Sequence, residues 1–173
     1  SKIKRDPNLI LFVGRFVKQK NLPMLLEAFK IVKDKIPKVK LILVGDGPEK
    51  SKLRGEVTFA GWEKPKEIKK LLDKATVFVL ASNHEGWGLV VLEALARGCP
   101  VVMTDTGCAG EIVIDNQTGY VVPIGDTQKF AEKIIEVLKN PVKAQKMALV
   151  GRKLVEKDCS LDNIKKQMVA MYQ

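Results

Sequence analysis

The chain has 173 residues, 46% hydrophobic and 29% charged, and its 30 Lys and Arg against 20 Asp and Glu give a formal net charge of +10. That is one domain's worth of ordinary globular composition, with no apolar run near the ~18–20 residues of a membrane span and no secretory pattern at the start, so a cytoplasmic protein is expected. The basic charge does not read as a nucleic-acid footprint: Arg5, Arg15, Arg54, Arg97 and Arg152 are the only arginines, the lysines are scattered, and no basic segment is interleaved with aromatics. A solvated lysine surface accounts for it, and peripheral contact with an anionic membrane stays open.

In chain order, residues 1–7 are polar and read as a linker before a domain spanning 8–173. Residues 8–13 form a continuous apolar strand ended by Gly14. The loop from Arg15 to Lys20 carries cations, and Asn21 can cap a helix over 22–35 with Pro23 in its first turn. Residues 39–44 form a second strand. The glycines at 45–48 follow that strand rather than the first, so they read as a turn and not as a dinucleotide fingerprint. Residues 49–56 leave room for about two helical turns, and 57–60 form a short third strand followed by Gly61-Trp62. A helix over 66–74 leads into a fourth strand at 76–80. Beyond the motif that follows it, 100–103 is a fifth strand, 104–111 is a glycine-containing turn with Glu111, and 119–123 is a last short strand. Helices close the chain at 126–140, 142–157 and 161–172, the first capped by Asp126 and the third by Ser160. Alternating near-continuous apolar strands and helices imply a doubly wound, Rossmann-like parallel sheet.

Chemistry concentrates between Ser82 and Gly98. After the glycines 86 and 88, a short helix from residue 88 or 89 to Arg97 is apolar on every side except at Glu93, the pattern of a buried helix. A buried carboxylate needs a partner. Glu93 lies one turn above the helix start, where the N–H groups of roughly Trp87 to Val90 make an anion site. A diphosphate on those groups, with ribose hydroxyls donating to Glu93, suits a sugar nucleotide, and Glu85 on the loop can accept from the sugar. The plainer alternative is an i, i+4 ion pair of Glu93 with Arg97, with Glu85 capping the helix by its charge. His84 has no identifiable nucleophile or metal partner and reads as incidental. The cysteines Cys99, Cys108 and Cys159 are odd in number and lack metal-ligand spacing, as small buried or idle thiols would.

Glu85-Gly86-Trp87-Gly88-Leu89 through Glu93-Ala94, with Gly98-Cys99-Pro100-Val101-Val102 behind, resembles the Glu, seven residues, Glu signature of the retaining nucleotide-sugar glycosyltransferases with the GT-B fold. The similarity runs from about Leu9 to Tyr172 and matches one half of such an enzyme, the C-terminal, donor-binding domain. It implies that Arg15, directly after Gly14, and Lys20 clamp the donor diphosphate. There a fixed guanidinium fork and an ammonium stabilise the charge that develops on the leaving group. Where the family usually has Gly after that Lys, this chain has Asn21, which tolerates a left-handed backbone. Trp62 stands where the family lines its base pocket, either flanking the base or partly buried against the sheet edge. Gly107 and Glu111 lie in a turn beside the donor pocket.

The resemblance further implies transfer of a hexose, with retention, from a nucleoside diphosphate sugar such as UDP-hexose or GDP-mannose to a hydroxyl acceptor. Glu85, Arg15 and Lys20 would act catalytically, and Gly14, Trp62, Gly86 to Val90 and Glu93 would bind the donor. Neither a metal nor another cofactor is expected. The partner would be an N-terminal Rossmann domain of the same enzyme carrying the acceptor, so this polypeptide alone would bind donor weakly and turn over little. A non-catalytic nucleotide-binding module and a GT-B relative such as a sugar-nucleotide epimerase are the competing readings.

Overall fold

The computed structural model describes residues 4–158. Six parallel strands form one sheet in the order β3-β2-β1-β4-β5-β6, built from β1 (Leu9–Val13), β2 (Lys40–Val44), β3 (Thr58–Gly61), β4 (Val77–Leu80), β5 (Val101–Thr104) and β6 (Tyr120–Val122). The three central strands β1, β4 and β5 are buried at every position. That is why they read as unbroken apolar runs rather than alternating ones. Leu9 pairs with Lys40 and Val13 with Val44 on one side of β1, while Ile10 pairs with Val77 on the other. The edge strand β3 is exposed to half-buried throughout.

The helices are α1 (Leu22–Lys35), α2 (Pro65–Lys74), α3 (Leu89–Ala96), α4 (Thr127–Lys139) and α5 (Pro141–Asp158). Right-handed crossovers put α1 on one face of the sheet and α2 and α3 on the other. There α1 packs on α4, and α3 on α5. Asp126 caps α4 through its carboxylate, which accepts from Lys129 N at 2.9 Å. Residues 49–56 contain only a single 3-10 turn, Lys50–Lys52. The helix expected over 161–172 and its Ser160 cap lie outside the described residues, as does Cys159.

Two expectations fail. Helix α3 is not buried all round: Val91, Ala94 and Leu95 face the core, but Leu89 is 68% exposed and Glu93 is exposed on the same side. No described element of the chain covers that stripe, so its apolar composition does not mark a core position. Asn21 occupies the N-cap of α1 without a side-chain cap bond, because its backbone is left-handed and its amide is committed elsewhere.

The polar start of the chain is fastened to the domain. The Arg5 guanidinium donates to the carbonyl oxygens of Leu72 (2.7 Å), Ala75 (2.7 Å) and Arg97 (2.8 Å). Those groups terminate α2 and α3, where helices leave carbonyls without internal partners. Asp6 N donates to Lys74 O at 2.8 Å, and the Asp6 carbonyl accepts from Thr76 Oγ1.

Candidate functional site

In the order 3-2-1-4-5-6 the chain reverses direction between β1 and β4, and ligands of such sheets bind at that switch point, beyond the carboxyl ends of the strands. The loops leaving β1 and β4 carry Arg15, Lys20 and Glu85.

The β1 loop is held from below. Gly14 N donates to Val44 O at 3.0 Å, and the fully buried Phe16 donates its N–H to Asp46 O at 2.8 Å. A Cβ on Gly45 would lie 2.0 Å from Gly14 O, so the turn at 45–48 can press against this loop only with glycine there. That turn braces the β1 loop. Arg15 is exposed, and its side chain makes no hydrogen bond or ion pair among the described residues. The 3-10 turn Lys18–Lys20 ends at Asn21 with φ 47° and ψ 47°, a left-handed conformation that Asn adopts more readily than other non-glycines. The Asn21 amide donates to Asn83 Oδ1 at 3.0 Å, and Asn83 N donates to Gln19 O at 2.8 Å, stitching the β1 loop to the β4 loop.

Across that seam Lys20 Nζ lies 2.6 Å from Glu85 Oε1, with the two side chains 14% and 6% exposed. Ser82 Oγ donates to the same oxygen at 2.5 Å. Ser82 is fully buried, and its carbonyl accepts from Thr104 Oγ1 at 2.6 Å. Gly107 packs on the other side of Glu85: a Cβ there would lie 2.9 Å from both Glu85 Cβ and Trp87 O. Glu85 makes no cap hydrogen bond to α3. Gly88, with φ 80°, precedes that helix and no side chain caps its first turn, leaving its leading N–H groups to an outside acceptor. Gly86, Trp87 and Leu89 are exposed and Val90 is half-buried.

The Glu93 carboxylate makes no hydrogen bond or ion pair among the described residues, although the Glu93 carbonyl accepts from Arg97 N at 3.2 Å. The i, i+4 pair with Arg97 does not form, since Arg97 Nε donates to Asp73 Oδ1 at 2.7 Å, tying α3 to α2. Trp62 is 77% exposed, so it is not buried against the sheet edge. It stands at a cavity of about 180 Å³ lined by Val13, Gly14, Arg15, Val44, Gly45, Trp62, Glu63 and Ile68. His84 and Glu111 are exposed, outside the Lys20–Glu85 contact. Among the described residues no group of three or more His, Cys, Asp or Glu is placed to hold a metal ion. Cys99 and Cys108 are buried, and burial, the largest influence on the Cys99 thiol, pushes its pKa up to about 12.

The rim thus gathers Gly14, Arg15, Lys20, Trp62, Glu85 and the start of α3, and Glu93 is exposed one turn along that helix. Ser82 and Thr104 escaped the sequence reading. The available signal was a small hydroxyl residue at the end of a buried strand, three positions before an acid.

The profile of the glycosyl transferases group 1 family matches residues 1–154. The chain belongs to the glycosyl transferases group 1 family. This group 1 chain is 35% identical over 142 residues to the lipopolysaccharide core biosynthesis glycosyltransferase LpsE of Rhizobium meliloti (strain 1021), covering 77% of the chain and 40% of the relative. The crystal structure of S. aureus TarM superposes with a TM-score of 0.88 at 24% identity, covering 98% of this chain and 36% of that one, a likeness of fold. The C-terminal domain of the group 1 protein LpcC from Francisella tularensis superposes with a TM-score of 0.80 at 25% identity, covering 91% of this chain and 89% of that domain. The chain spans less than half the length of LpsE and is built as the C-terminal domain of a GT-B glycosyltransferase.

Proposed function

We propose that this group 1 domain binds a nucleoside diphosphate sugar and, together with an N-terminal Rossmann domain holding a hydroxyl acceptor, transfers the hexose with retention of configuration. The observation that carries the reading is the Lys20–Glu85 pair, held at the sheet's switch point by loops from β1 and β4 beside an unpaired Arg15. A structural ion pair needs no such neighbours. A diphosphate ester needs cations on its phosphates and an acceptor for the hydroxyls of its sugar.

In this reading the base enters the cavity between Gly14 and Trp62, and Trp62 flanks it. Arg15, Lys20 and the leading N–H groups of α3 near Gly86 to Val90 take the diphosphate, and Glu93 accepts from the ribose. Glu85 accepts from the transferred sugar. Lys20 is a point charge on a flexible stem, so it can turn to a phosphate oxygen while Ser82 keeps its bond to Glu85 Oε1. As the glycosidic bond breaks, negative charge builds on the departing diphosphate, and Arg15, Lys20 and the helix dipole stabilise it more than they stabilise the bound donor. These groups supply the charge compensation without a divalent ion, so the reaction is expected to persist in chelator.

The donor is a UDP-hexose or GDP-mannose, and this polypeptide alone binds it weakly with little turnover. Basic charge also favours peripheral contact with an anionic membrane at its cytoplasmic face. The outward side of α5 supports this by setting exposed Val142, Leu149 and Val150 among Lys143, Lys146 and Lys153.

Calorimetric titration with UDP, GDP, UDP-glucose and GDP-mannose, followed by a transfer assay with and without chelator, tests the reading. A sugar conjugate that binds more tightly than its parent diphosphate is the expected result. Equal affinity for both would make the chain a nucleotide-binding module, and robust turnover by the isolated chain would remove the need for a second domain.

A further inference from the structure

Glu85 uses its two oxygens unequally. Oε1 accepts from both Lys20 Nζ and Ser82 Oγ, whereas Oε2 makes no hydrogen bond among the described residues and is not among the buried unpartnered atoms. Oε2 is therefore the oxygen that solvent, or a ligand hydroxyl, can reach. Of the two donors on Oε1, Lys20 is the one with a second demand on it, because the proposed reading also assigns it to the diphosphate. Ser82 has no such alternative. Its side chain is fully buried, its carbonyl is held by Thr104, and Glu85 Oε1 is the oxygen its hydroxyl reaches.

We infer that Ser82 is a positioning residue for the donor sugar: its hydroxyl fixes Oε1 inward and so presents Oε2 to the sugar hydroxyls, including when Lys20 has turned to the phosphates. This rests on the donor-binding reading above. It assigns Ser82 a duty that neither the signature motif nor the phosphate clamp contains. It also explains why a serine is spent at a fully buried position where an apolar residue would pack without a hydroxyl to satisfy.

The test uses the chain and two variants, titrated with UDP, UDP-glucose, GDP and GDP-mannose, and reads the ratio of each diphosphate's Kd to that of its sugar conjugate. A hydrogen bond to a charged group is of a strength that makes its loss about a tenfold effect. Ser82→Ala is expected to cut the ratio about tenfold while the affinity for the diphosphate alone stays within about twofold. Thr118→Val breaks a buried hydrogen bond of similar length, 2.6 Å to Ile112 O, that touches neither Ser82 nor Glu85. It is expected to lower the melting temperature and leave the ratio unchanged, which separates positioning from general loosening. An unchanged ratio in Ser82→Ala, or an equal fall in Thr118→Val, overturns the role of Ser82 and leaves the donor-binding reading standing. A wild-type chain that prefers neither conjugate overturns that reading and this one with it.

Discussion

Breaking the Lys20–Glu85 contact is the most informative perturbation, because its partners meet at 2.6 Å with side chains only 14% and 6% exposed. At an effective dielectric of about 20, unit charges about 4 Å apart attract by about 4 kcal/mol. Desolvation takes back part of that, leaving a coupling of about 2 kcal/mol. Lys20→Met should cost about 3 kcal/mol, the lower end for a broken buried pair, since Ser82 still bonds the stranded carboxylate. For a chain of this size that is a fall in melting temperature of about 6–12 °C. Glu85→Gln should cost a similar amount by stranding the ammonium. The double variant should recover about 2 kcal/mol of the summed loss. Urea denaturation at low and high salt reads all four corners of the cycle, and a buried pair should respond little to salt. Single variants within about 0.5 kcal/mol of wild type, or strictly additive losses, would show that the pair carries no energy and would undo the argument for a built site.

Arg5→Ala removes a charged donor from four helix-terminal carbonyls, of Leu72, Asp73, Ala75 and Arg97, and should lower stability by about 2–3 kcal/mol without changing nucleotide affinity; an unchanged urea midpoint would contradict the clamp. Gly107→Ala places a Cβ 2.9 Å from Glu85 Cβ and Trp87 O at φ 57°, so it should lower both the melting temperature and the affinity for nucleotide sugar, and neutral behaviour would show that the loop yields. Trp62→Ala should leave the melting temperature unchanged and weaken nucleotide binding by about 1–3 kcal/mol of lost stacking, whereas unaltered affinity would remove Trp62 from the base site. Glu136, hydrogen-bonded by Lys143, then Tyr120, and more weakly by Lys133, has its pKa lowered to about 2. A depressed carboxylate adds stability above its unfolded value of 4.5 and loses it as pH falls through about 2. The advantage of wild type over Glu136→Gln should therefore be present at pH 6, about 1 kcal/mol after solvent screening, and shrink steadily below about 4.5. A gap that is constant with pH would refute it.

The sheet was legible because its strands are covered on both faces. Leu9 to Val13 and Val77 to Leu80 have no polar alternation to confuse, and Gly14 marks the exit of the first. The position of the site followed from the same order, since every rim residue comes just after a strand. What composition could not reveal was which element covers which. Leu89 and Glu93 sit in an apolar helix whose outer stripe meets no described residue, and the run of Leu, Val and Ala around them looks the same whether the covering element is present or not. Long-range polar closure was equally hidden: nothing near Arg5 in sequence announces carbonyls 67 to 92 positions away. Asn21 was read correctly for its backbone and wrongly for its side chain, because its amide donates to Asn83 Oδ1 and Met24 Sδ and caps none of the first-turn N–H groups.

Cys99 supplies a reporter already present in the chain. With its thiol directed at the Ala75 carbonyl, 3.6 Å away, and its ionisation held off by burial, it presents neither the access nor the thiolate that alkylating reagents require. With Cys108 and Cys159 both replaced by serine, modification of Cys99 must await opening of the sheet, so its labelling rate under native conditions becomes a clock for whole-domain unfolding. A nucleotide that binds the folded form would slow that clock in proportion to its occupancy, giving a ligand screen that needs no acceptor, no second domain and no knowledge of the reaction.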